Sequence, residues 1–134
     1  METNLKIKII GIEDVEKCKF KPEPHTVALK DKGCWWALLL NGEIVSVVCV
    51  SDKHGGKYYS EVFTPVEHRN RGYSTKLIRF LANKIYKNYY QIAHCLKASV
   101  NVFDRAGFRL KTIRRFKHGN QFFMEKLKDG ETEN

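Results

Sequence analysis

The clearest chemistry in this 134-residue sequence lies in a basic turn that contains one glycine, Arg69–Lys76. The turn combines Arg69 and Arg71 with Gly72 and the small Ser74, and it opens a helical pattern. The first backbone N–H groups of a helix have no intrahelical partner, and the helix dipole adds partial positive charge there. Glycine lets a ligand approach the backbone closely, and the arginines add full charges. The turn therefore suits a pyrophosphate group.

Two common phosphate-binding motifs do not match this turn. A P-loop ends in Gly-Lys-Ser/Thr, and the dinucleotide-binding fingerprint contains three glycines. The spacing Arg-x-x-Gly-x-Ser found here also permits a plainer interpretation, a basic helix start with an ordinary turn glycine. The short motif alone leaves both interpretations open.

The residues on either side of this turn predict a strand before it and a helix after it. Apolar residues recur at helical spacing after the turn, at Leu77, Ile78, Leu81 and Ile85. This periodicity predicts an amphipathic helix that continues to about Lys87. Before the turn, Lys57–Thr64 is predicted to be a strand whose pairing ends at Pro65.

The rest of the chain is predicted to alternate between strands and short helices. Asn41-Gly42 is the strongest short hairpin signal, and it joins two strands that are apolar on both faces. The other predicted elements are strands over Leu5–Ile10, Cys34–Leu40, Glu43–Ser51, Gln91–Ala98, Arg109–Phe116 and Asn120–Leu127, and helices over Glu13–Lys19 and Ser99–Arg105. Ser99 is the expected N-cap of the last helix. Residues 1–128 are predicted to form a single domain, followed by a disordered acidic tail over residues 129–134.

Composition narrows the functional class. The formal net charge is +9 and the pI is near 9.4, which favours polyanionic partners, although excess charge also serves solubility. The 4 cysteines form no Cys-x-x-Cys pair, no metal-ligand spacing occurs, and no signal segment is visible, so we expect a cytoplasmic protein with reduced thiols. The longest apolar run, Trp35–Leu40, is too short to cross a bilayer, and no membrane partner is expected.

The basic turn resembles the acyl-coenzyme A pyrophosphate loop of the GCN5-related N-acetyltransferase (GNAT) superfamily, Gln/Arg-x-x-Gly-x-Gly/Ala. Arg69 and Gly72 match this motif, and Ser74 stands where the family prefers glycine or alanine. Phe103 to Phe108 is similar to a second family motif, Tyr-x-x-x-Gly-Phe, in which Phe103 replaces the tyrosine. In many members that tyrosine protonates the departing thiolate, and phenylalanine has no proton to give.

This resemblance implies an α/β fold with a mixed, mostly antiparallel central sheet and flanking helices. It also implies acetyl-CoA as the acyl donor and an amine as the acceptor, either a protein lysine, a protein N-terminus or a small amine. The implied donor-binding residues are the backbone of Phe63, Thr64 and Val66, the loop residues Arg69, Asn70, Arg71, Gly72, Tyr73, Ser74 and Thr75, and Asn101 and Phe103 near the pantetheine arm.

Two residues are candidates for the catalytic base. Glu61 lies on the fourth strand, where some members place a glutamate that deprotonates the amine through water, but it could equally face solvent or pair with an arginine. His94 lies on the fifth strand, where members sometimes carry a catalytic side chain, and it titrates near neutral pH. The alternative for His94 is a strand histidine with satisfied hydrogen bonds.

Other functions remain open. High basicity and the changes at Ser74 and Phe103 are compatible with a nucleobase-modifying enzyme of the phage Mom type, or with an inactive module that binds coenzyme A or protein. A basic strip occurs at Arg105, Arg109, Lys111, Arg114, Arg115 and Lys117. The strip fits an acidic protein acceptor or a nucleic-acid-associated one, and it also fits a solvated outer strand. Phe122 and Phe123 would permit a homodimer through the last strands.

Overall fold

One mixed sheet organises residues 4–16 and 33–131, which are the part of the chain that the computed structural model describes. Its strands are β1 (Leu5–Ile10), β2 (Cys34–Leu40), β3 (Glu43–Lys53), β4 (Gly56–Phe63), β5 (Gln91–Cys95), β6 (Arg109–Phe116) and β7 (Gly119–Lys126). The helices are α1 (Ile12–Glu16), α2 (Tyr73–Phe80) and α3 (Lys97–Arg105). The order across the sheet is β1-β2-β3-β4-β5-β7-β6. The predicted fold class, a mostly antiparallel mixed sheet with flanking helices, is confirmed.

The first half of the sheet is a meander of antiparallel strands. Asn41 and Gly42, with φ of 50° and 88°, make the tight turn between β2 and β3 that their sequence predicts. β3 and β4 follow as a second antiparallel pair. The meander therefore delivers the end of β4 directly to the basic turn.

β4 and β5 form the parallel pair at the centre of the described sheet. They are in register over Lys57–Tyr59 and Gln91–Ala93, and beyond these residues the described pairing ends. β4 continues to Phe63 and β5 to Cys95, so both strands extend past the last paired residues. The two strands consequently diverge and open a cleft towards their carboxyl ends.

Two hydrophobic cores lie on opposite faces of the sheet. On one face α2 and α3 pack over the strands, with Tyr59, Leu77 and Phe103 among the buried residues. On the other face α1 covers a smaller core that includes Val15 and Trp35. Trp36 points to the first face, where its indole Nε1 donates to the Tyr86 hydroxyl at 3.0 Å. The two tryptophans therefore pack on opposite sides of the sheet.

The helix after the basic turn changes its winding before it ends. α2 continues as a π-helical segment, Leu81–Ile85, which periodicity did not predict. The fully buried Gln91 donates through Nε2 to the carbonyls of Ala82 at 3.0 Å and Tyr86 at 2.9 Å. Its Oε1 accepts from the Tyr59 hydroxyl at 2.6 Å. This buried network satisfies carbonyl groups at the π-helical turn.

The boundaries of β5, α3 and α1 differ from those that the sequence predicts. β5 ends at Cys95 and α3 begins at Lys97, so Ser99 lies inside the helix and Leu96 is the N-cap residue. The prediction of Ser99 as N-cap was therefore wrong, because the pairing of β5 with β7 ends at Cys95 and the chain turns into the helix directly after it. α1 covers Ile12–Glu16, and the remainder of the predicted helix lies outside the described residues.

The start of the predicted acidic tail contacts the domain. The backbone N–H of Asp129 donates to the Lys87 carbonyl at 2.7 Å, and its carboxylate pairs with Lys126 at 3.3 Å. Residues 132–134 lie outside the described part of the chain. Disorder of the tail stays a prediction for those residues.

Candidate active site

A bulge in β4 shapes the wall of the cleft. Cys49 of β3 pairs with Ser60, and Val47 pairs with Phe63, so one residue of β3 faces two residues of β4. A bulge of this kind bends the strand and leaves backbone groups outside the regular ladder. The bend lies in the segment where β4 has parted from β5. The wall of the cleft therefore carries main-chain polar groups of β4.

The N-terminus of α2 lies just beyond this wall. Gly72 precedes the helix with φ 76°, and Asn70 also has a positive φ of 64°. A Cβ at Gly72 would meet no described atom within 4 Å, so glycine is required by backbone conformation and the space in front of it is open. Within the described residues no side chain caps the helix. Its first N–H groups are thus available to an anion, and this arrangement fits a pyrophosphate.

Arg69 holds the end of β4 to this turn. Its Nε donates to the Thr64 carbonyl at 2.9 Å, and its guanidinium lies 5.8 Å from the centre of the Phe63 ring. Arg71, in contrast, is exposed on the turn. Arg69 therefore has a structural contact as well as its charge, while the Arg71 side chain is presented to solvent beside the helix N-terminus.

Three hydroxyl groups join β3, the end of β4 and the start of α2. The Ser46 hydroxyl lies 2.9 Å from that of Thr64 and 3.3 Å from that of Ser74, and the Thr64 and Ser74 hydroxyls are also in hydrogen-bond contact. Ser46 also lies 3.3 Å from the Phe63 carbonyl oxygen. Sequence reasoning missed Ser46. Its one signal was a small polar residue in the buried apolar run of β3.

His94 belongs to a row of rings on the face opposite α2 and α3. It stacks on Phe123 with ring centroids 4.0 Å apart, and the rings of Tyr58 and His54 lie 5.1 Å and 5.3 Å away. Arg114 lies over the same Phe123 ring at 4.9 Å. Burial, together with the nearby His54 and Arg114, lowers the pKa of His94 from its ordinary value of 6.5. The imidazole is therefore held in its neutral form at pH 7.

A family model described as Acetyltransferase (GNAT) family matches residues 9–108. The chain belongs to this acetyltransferase family. The matched residues run from β1 through the cleft and the basic turn to the Gly-Phe pair that follows α3. A search of curated protein sequences finds no significant match.

Solved structures of GNAT proteins share the fold at low sequence identity. The ribosomal-protein-S18-alanine N-acetyltransferase from Escherichia coli superposes with a TM-score of 0.74 at 14% identity, covering 98% of each chain. An IAA acetyltransferase from Bacillus cereus gives 0.72 at 16% identity over 91% of this chain and 98% of the other. The aminoglycoside acetyltransferase AAC(6′)-Ib, solved with coenzyme A and kanamycin, gives 0.65 at 12% identity over 92% and 95%. These likenesses establish a GNAT fold.

The GNAT fold brings most of the predicted donor-site residues to one end of the sheet. Phe63 ends β4 and Thr64 follows it. Tyr73, Ser74 and Thr75 form the first turn of α2, where they are half-buried. The backbone of Glu61 lies in the β4 bulge and that of Val66 in a short 3-10 turn over Val66–His68, but both side chains lie outside the described residues. The proposed base role of Glu61 therefore stays a prediction.

Two predicted residues on α3 differ in exposure. Asn101 is exposed. Phe103 is 1% exposed, and its ring packs against Tyr59 and Phe108 with centroids 5.9 Å and 5.1 Å away. This enclosure favours a packing role for Phe103 over a side-chain contact with a ligand.

No metal centre or membrane helix accompanies the GNAT site in the described part of the chain. Within residues 4–16 and 33–131, no group of three His, Cys, Asp or Glu side chains is placed to hold a metal ion. The described helices are also too short or too polar to cross a bilayer.

Proposed function

We infer that this protein is an acetyl-CoA-dependent N-acetyltransferase. The observation that carries the proposal is the divergence of β4 and β5 after Tyr59 and Ala93, in a cleft that leads to the uncapped N-terminus of α2. GNAT neighbours with the same fold were solved with coenzyme A or acetyl-CoA. The main-chain donors and positive charge of this chain fit the same donor.

The donor would be held at two places. Arg71 and the N–H groups around Gly72, Tyr73 and Ser74 would bind the pyrophosphate through charge and hydrogen bonds. The backbone of Phe63 and Thr64 would hold the pantetheine and the thioester carbonyl. The extended pantetheine would lie between β4 and β5 and form hydrogen bonds to the main chain as a neighbouring strand would. Asn101 is exposed on the neighbouring helix and is proposed to contact the pantetheine arm.

The bound donor supplies an activated thioester carbonyl and a thiolate leaving group. Burial is the main cause that lowers the pKa of His94, and the nearby His54 and Arg114 add to the effect. The neutral imidazole can accept a proton from the attacking amine, directly or through water. Glu61 is the second candidate for this role. Phe103 cannot donate a proton, so the thiolate would leave unprotonated or take its proton from water. Burial raises the pKa of Cys95 to about 11, which argues against a thiolate nucleophile at this position.

The acceptor is proposed to be a primary amine on an acidic protein. Arg114, Arg115 and Lys117 are exposed on and beside β6, and in the described part of the chain none of them pairs with a carboxylate. Such a surface attracts acidic partners and repels polyamines. The similar Escherichia coli enzyme is named for an alanine of a ribosomal protein, which also supports a protein acceptor.

Two further predictions accompany this function. Cys34 and Cys95 are free thiols in the described part of the chain, which supports a cytoplasmic location. A homodimer through the last strands stays a prediction. It is supported by the exposed apolar residues Ile113 and Phe116 on the outer strand β6.

The test is calorimetric titration of acetyl-CoA into the wild type and into an Arg71→Glu, Gly72→Asp double variant. Wild type is expected to bind, and the variant to lose most of its affinity, because it places two carboxylates where the pyrophosphate is expected. Arg79→Glu makes the same arginine-to-glutamate change near the other end of α2, away from the turn, and should bind normally. Absence of binding by wild type would refute the donor assignment. Once binding is established, acidic protein pools can be screened for acetyl incorporation.

A further inference from the structure

We propose that Ser46 is a positioning residue of the donor site: its buried hydroxyl fixes the Phe63–Thr64 peptide unit so that the Thr64 N–H faces the cleft between β4 and β5. The inference deepens the proposed function and rests on it. Ser46 lies on β3, one strand away from the cleft wall, and it belongs to no motif identified in the sequence.

The position of Ser46 makes its hydrogen bonds consequential. Ser46 is fully buried, with 0% of its surface exposed. Its neighbours on the same strand, Val45, Val47 and Val48, are also buried. A buried hydroxyl without a partner is costly, so its bonds within the protein are maintained. The Ser46 hydroxyl has three oxygen atoms near it: the carbonyl of Phe63 and the hydroxyls of Thr64 and Ser74.

The direction of these hydrogen bonds follows from counting protons. The Phe63 carbonyl can only accept, so Ser46 must donate its single hydroxyl proton to it at 3.3 Å. Thr64 and Ser74 then supply the other two protons, one for the bond between them and one for a bond to Ser46. The three hydroxyls therefore form a directed chain that ends on the main chain of β4.

The anchored carbonyl determines where the next N–H points. None of the described peptide bonds is cis, so the Phe63 C=O and the Thr64 N–H point in opposite directions. Ser46 and β3 lie on one side of β4, and β5 lies on the other. The Thr64 N–H is consequently directed to the side on which the cleft opens.

Two adjacent features make the Thr64 N–H important. Pro65 follows it and has no N–H, so Thr64 provides the last main-chain donor between the end of β4 and the 3-10 turn. Arg69 holds the Thr64 carbonyl from the other side at 2.9 Å. The peptide units on both sides of Thr64 are thus fixed before any ligand binds, as an effective hydrogen-bond donor site requires.

Ser74 links this anchor to the pyrophosphate turn. Glycine or alanine at this position would bring no hydroxyl to the chain of hydrogen bonds. With serine, the first turn of α2 and the end of β4 share one network through Thr64 and Ser46. The network reaches α2 only through the Ser74 side chain, and no side-chain cap ties up the backbone N–H groups of the turn that would face the pyrophosphate.

Two ligands that contact different parts of the donor site test the proposal. Acetyl-CoA contacts both the cleft wall and the turn, whereas 3′-phospho-ADP carries the pyrophosphate without the pantetheine. In calorimetry, Ser46→Ala is expected to weaken acetyl-CoA binding about tenfold and to leave 3′-phospho-ADP binding within about twofold of wild type. Ser46→Cys retains a weak donor and should recover part of the loss.

Val50→Ala is the matched control for stability. Val50 is on the same strand and is also buried, but it pairs with Tyr59 outside the β4 bulge and has no part in the hydroxyl chain. It should lower the melting temperature without changing the affinity for either probe. If Ser46→Ala fails to fold, Ser46→Cys decides the outcome. Unchanged acetyl-CoA affinity, or an equal loss for both probes, would overturn the proposal.

A measurement without ligand separates failure of this inference from failure of the proposed function. In the free protein, loss of the Ser46 bond should move the carbonyl ¹³C resonance of Phe63 upfield and broaden the amide resonance of Thr64. Unchanged resonances would overturn the anchor itself. If wild type binds neither probe while the resonances change as expected, the anchor stands and the donor assignment fails.

Discussion

The imidazole of His94 stacks on the ring of Phe123, with centroids 4.0 Å apart and planes inclined by 17°. The two residues are opposite each other on β5 and β7, and Arg114 of β6 lies over the same phenylalanine ring. The contact crosses two strands and limits rotation of the imidazole. A histidine that transfers protons needs a fixed orientation. The pairing of β5 with β7 gives the His94 ring such an orientation.

Replacement of His94 by glutamine should slow acetyl transfer by about a hundredfold or more, because general base catalysis typically contributes at least this factor. The affinity for acetyl-CoA should change little, since His94 lies on the face opposite α2. The rate of acetyl transfer is measured as coenzyme A release with an acceptor found by screening. The affinity for acetyl-CoA is measured by calorimetry. His118→Gln, in the exposed β6–β7 turn, is the control. A His94→Gln enzyme with full activity would transfer the role to Glu61.

Replacement of His54 by glutamine should raise the pKa of His94 towards its ordinary value of 6.5. Burial lowers this pKa most, and the His54 and Arg114 charges add to the effect, so removal of one charge relieves part of the shift. The acidic limb of the pH–rate profile should move to higher pH in the same variant. An NMR titration of the His94 ring protons measures the shift directly. An unchanged titration would mean that the His54 ring, 5.3 Å away, exerts no electrostatic effect on His94.

The sequence predicted the elements with strong local signals and missed those determined by tertiary contacts. Asn41-Gly42 marked its hairpin because a tight turn needs residues that tolerate positive φ. The π-helical segment Leu81–Ile85 and the early start of α3 have no such local marker. The first depends on buried Gln91, and the second on where the pairing of β5 with β7 ends.

The candidate site divides in the same way. The basic turn was visible because an anion site at a helix N-terminus is formed by contiguous residues, Arg69 to Thr75. Ser46 was not visible, because its role depends on β3 lying beside the end of β4. The packing of Phe103 inside the core was equally hidden, since its motif position indicated a different role.

Gln91→Leu should destabilise the protein by about 2–3 kcal/mol. The leucine fills a similar volume but leaves the carbonyls of Ala82 and Tyr86 and the Tyr59 hydroxyl without their described partner. Urea denaturation followed by fluorescence measures the loss as a lower midpoint. Gln121→Leu, on the half-buried part of β7, is the chemically matched control and should cost much less.

Tyr59→Phe removes only one contact of the same network and should cost about 1 kcal/mol. Tyr59→Phe and Gln91→Leu both remove the hydrogen bond between these two residues. The double variant should therefore lose less stability than the sum of the two single variants. Additive losses would show that Tyr59 and Gln91 stabilise the fold independently, contrary to the 2.6 Å contact between them.

Glu125→Gln should make the stability of the protein less dependent on pH in the acid range. The Glu125 side chain is 7% exposed and accepts hydrogen bonds from Tyr90 at 2.8 Å and Arg109 at 3.0 Å, with Lys111 at 3.7 Å. Burial alone would raise the pKa of this carboxyl, but the two hydrogen bonds and the charges of Lys111 and Arg109 outweigh it and lower the pKa below 4.5.

A carboxyl whose pKa is lower in the folded than in the unfolded state stabilises the fold above its unfolded pKa, and this contribution is lost as pH falls through the folded pKa. Wild type should therefore exceed Glu125→Gln in stability at pH 7, by about 1–3 kcal/mol, and the difference should shrink below about pH 4. Urea midpoints measured from pH 7 to pH 3 give this difference directly. Glu131→Gln makes the same change in net charge at an exposed position and should follow the wild-type pH dependence. A constant difference between wild type and Glu125→Gln across this range would show that packing at β7, rather than the ionised carboxylate, accounts for the contribution of Glu125 to stability.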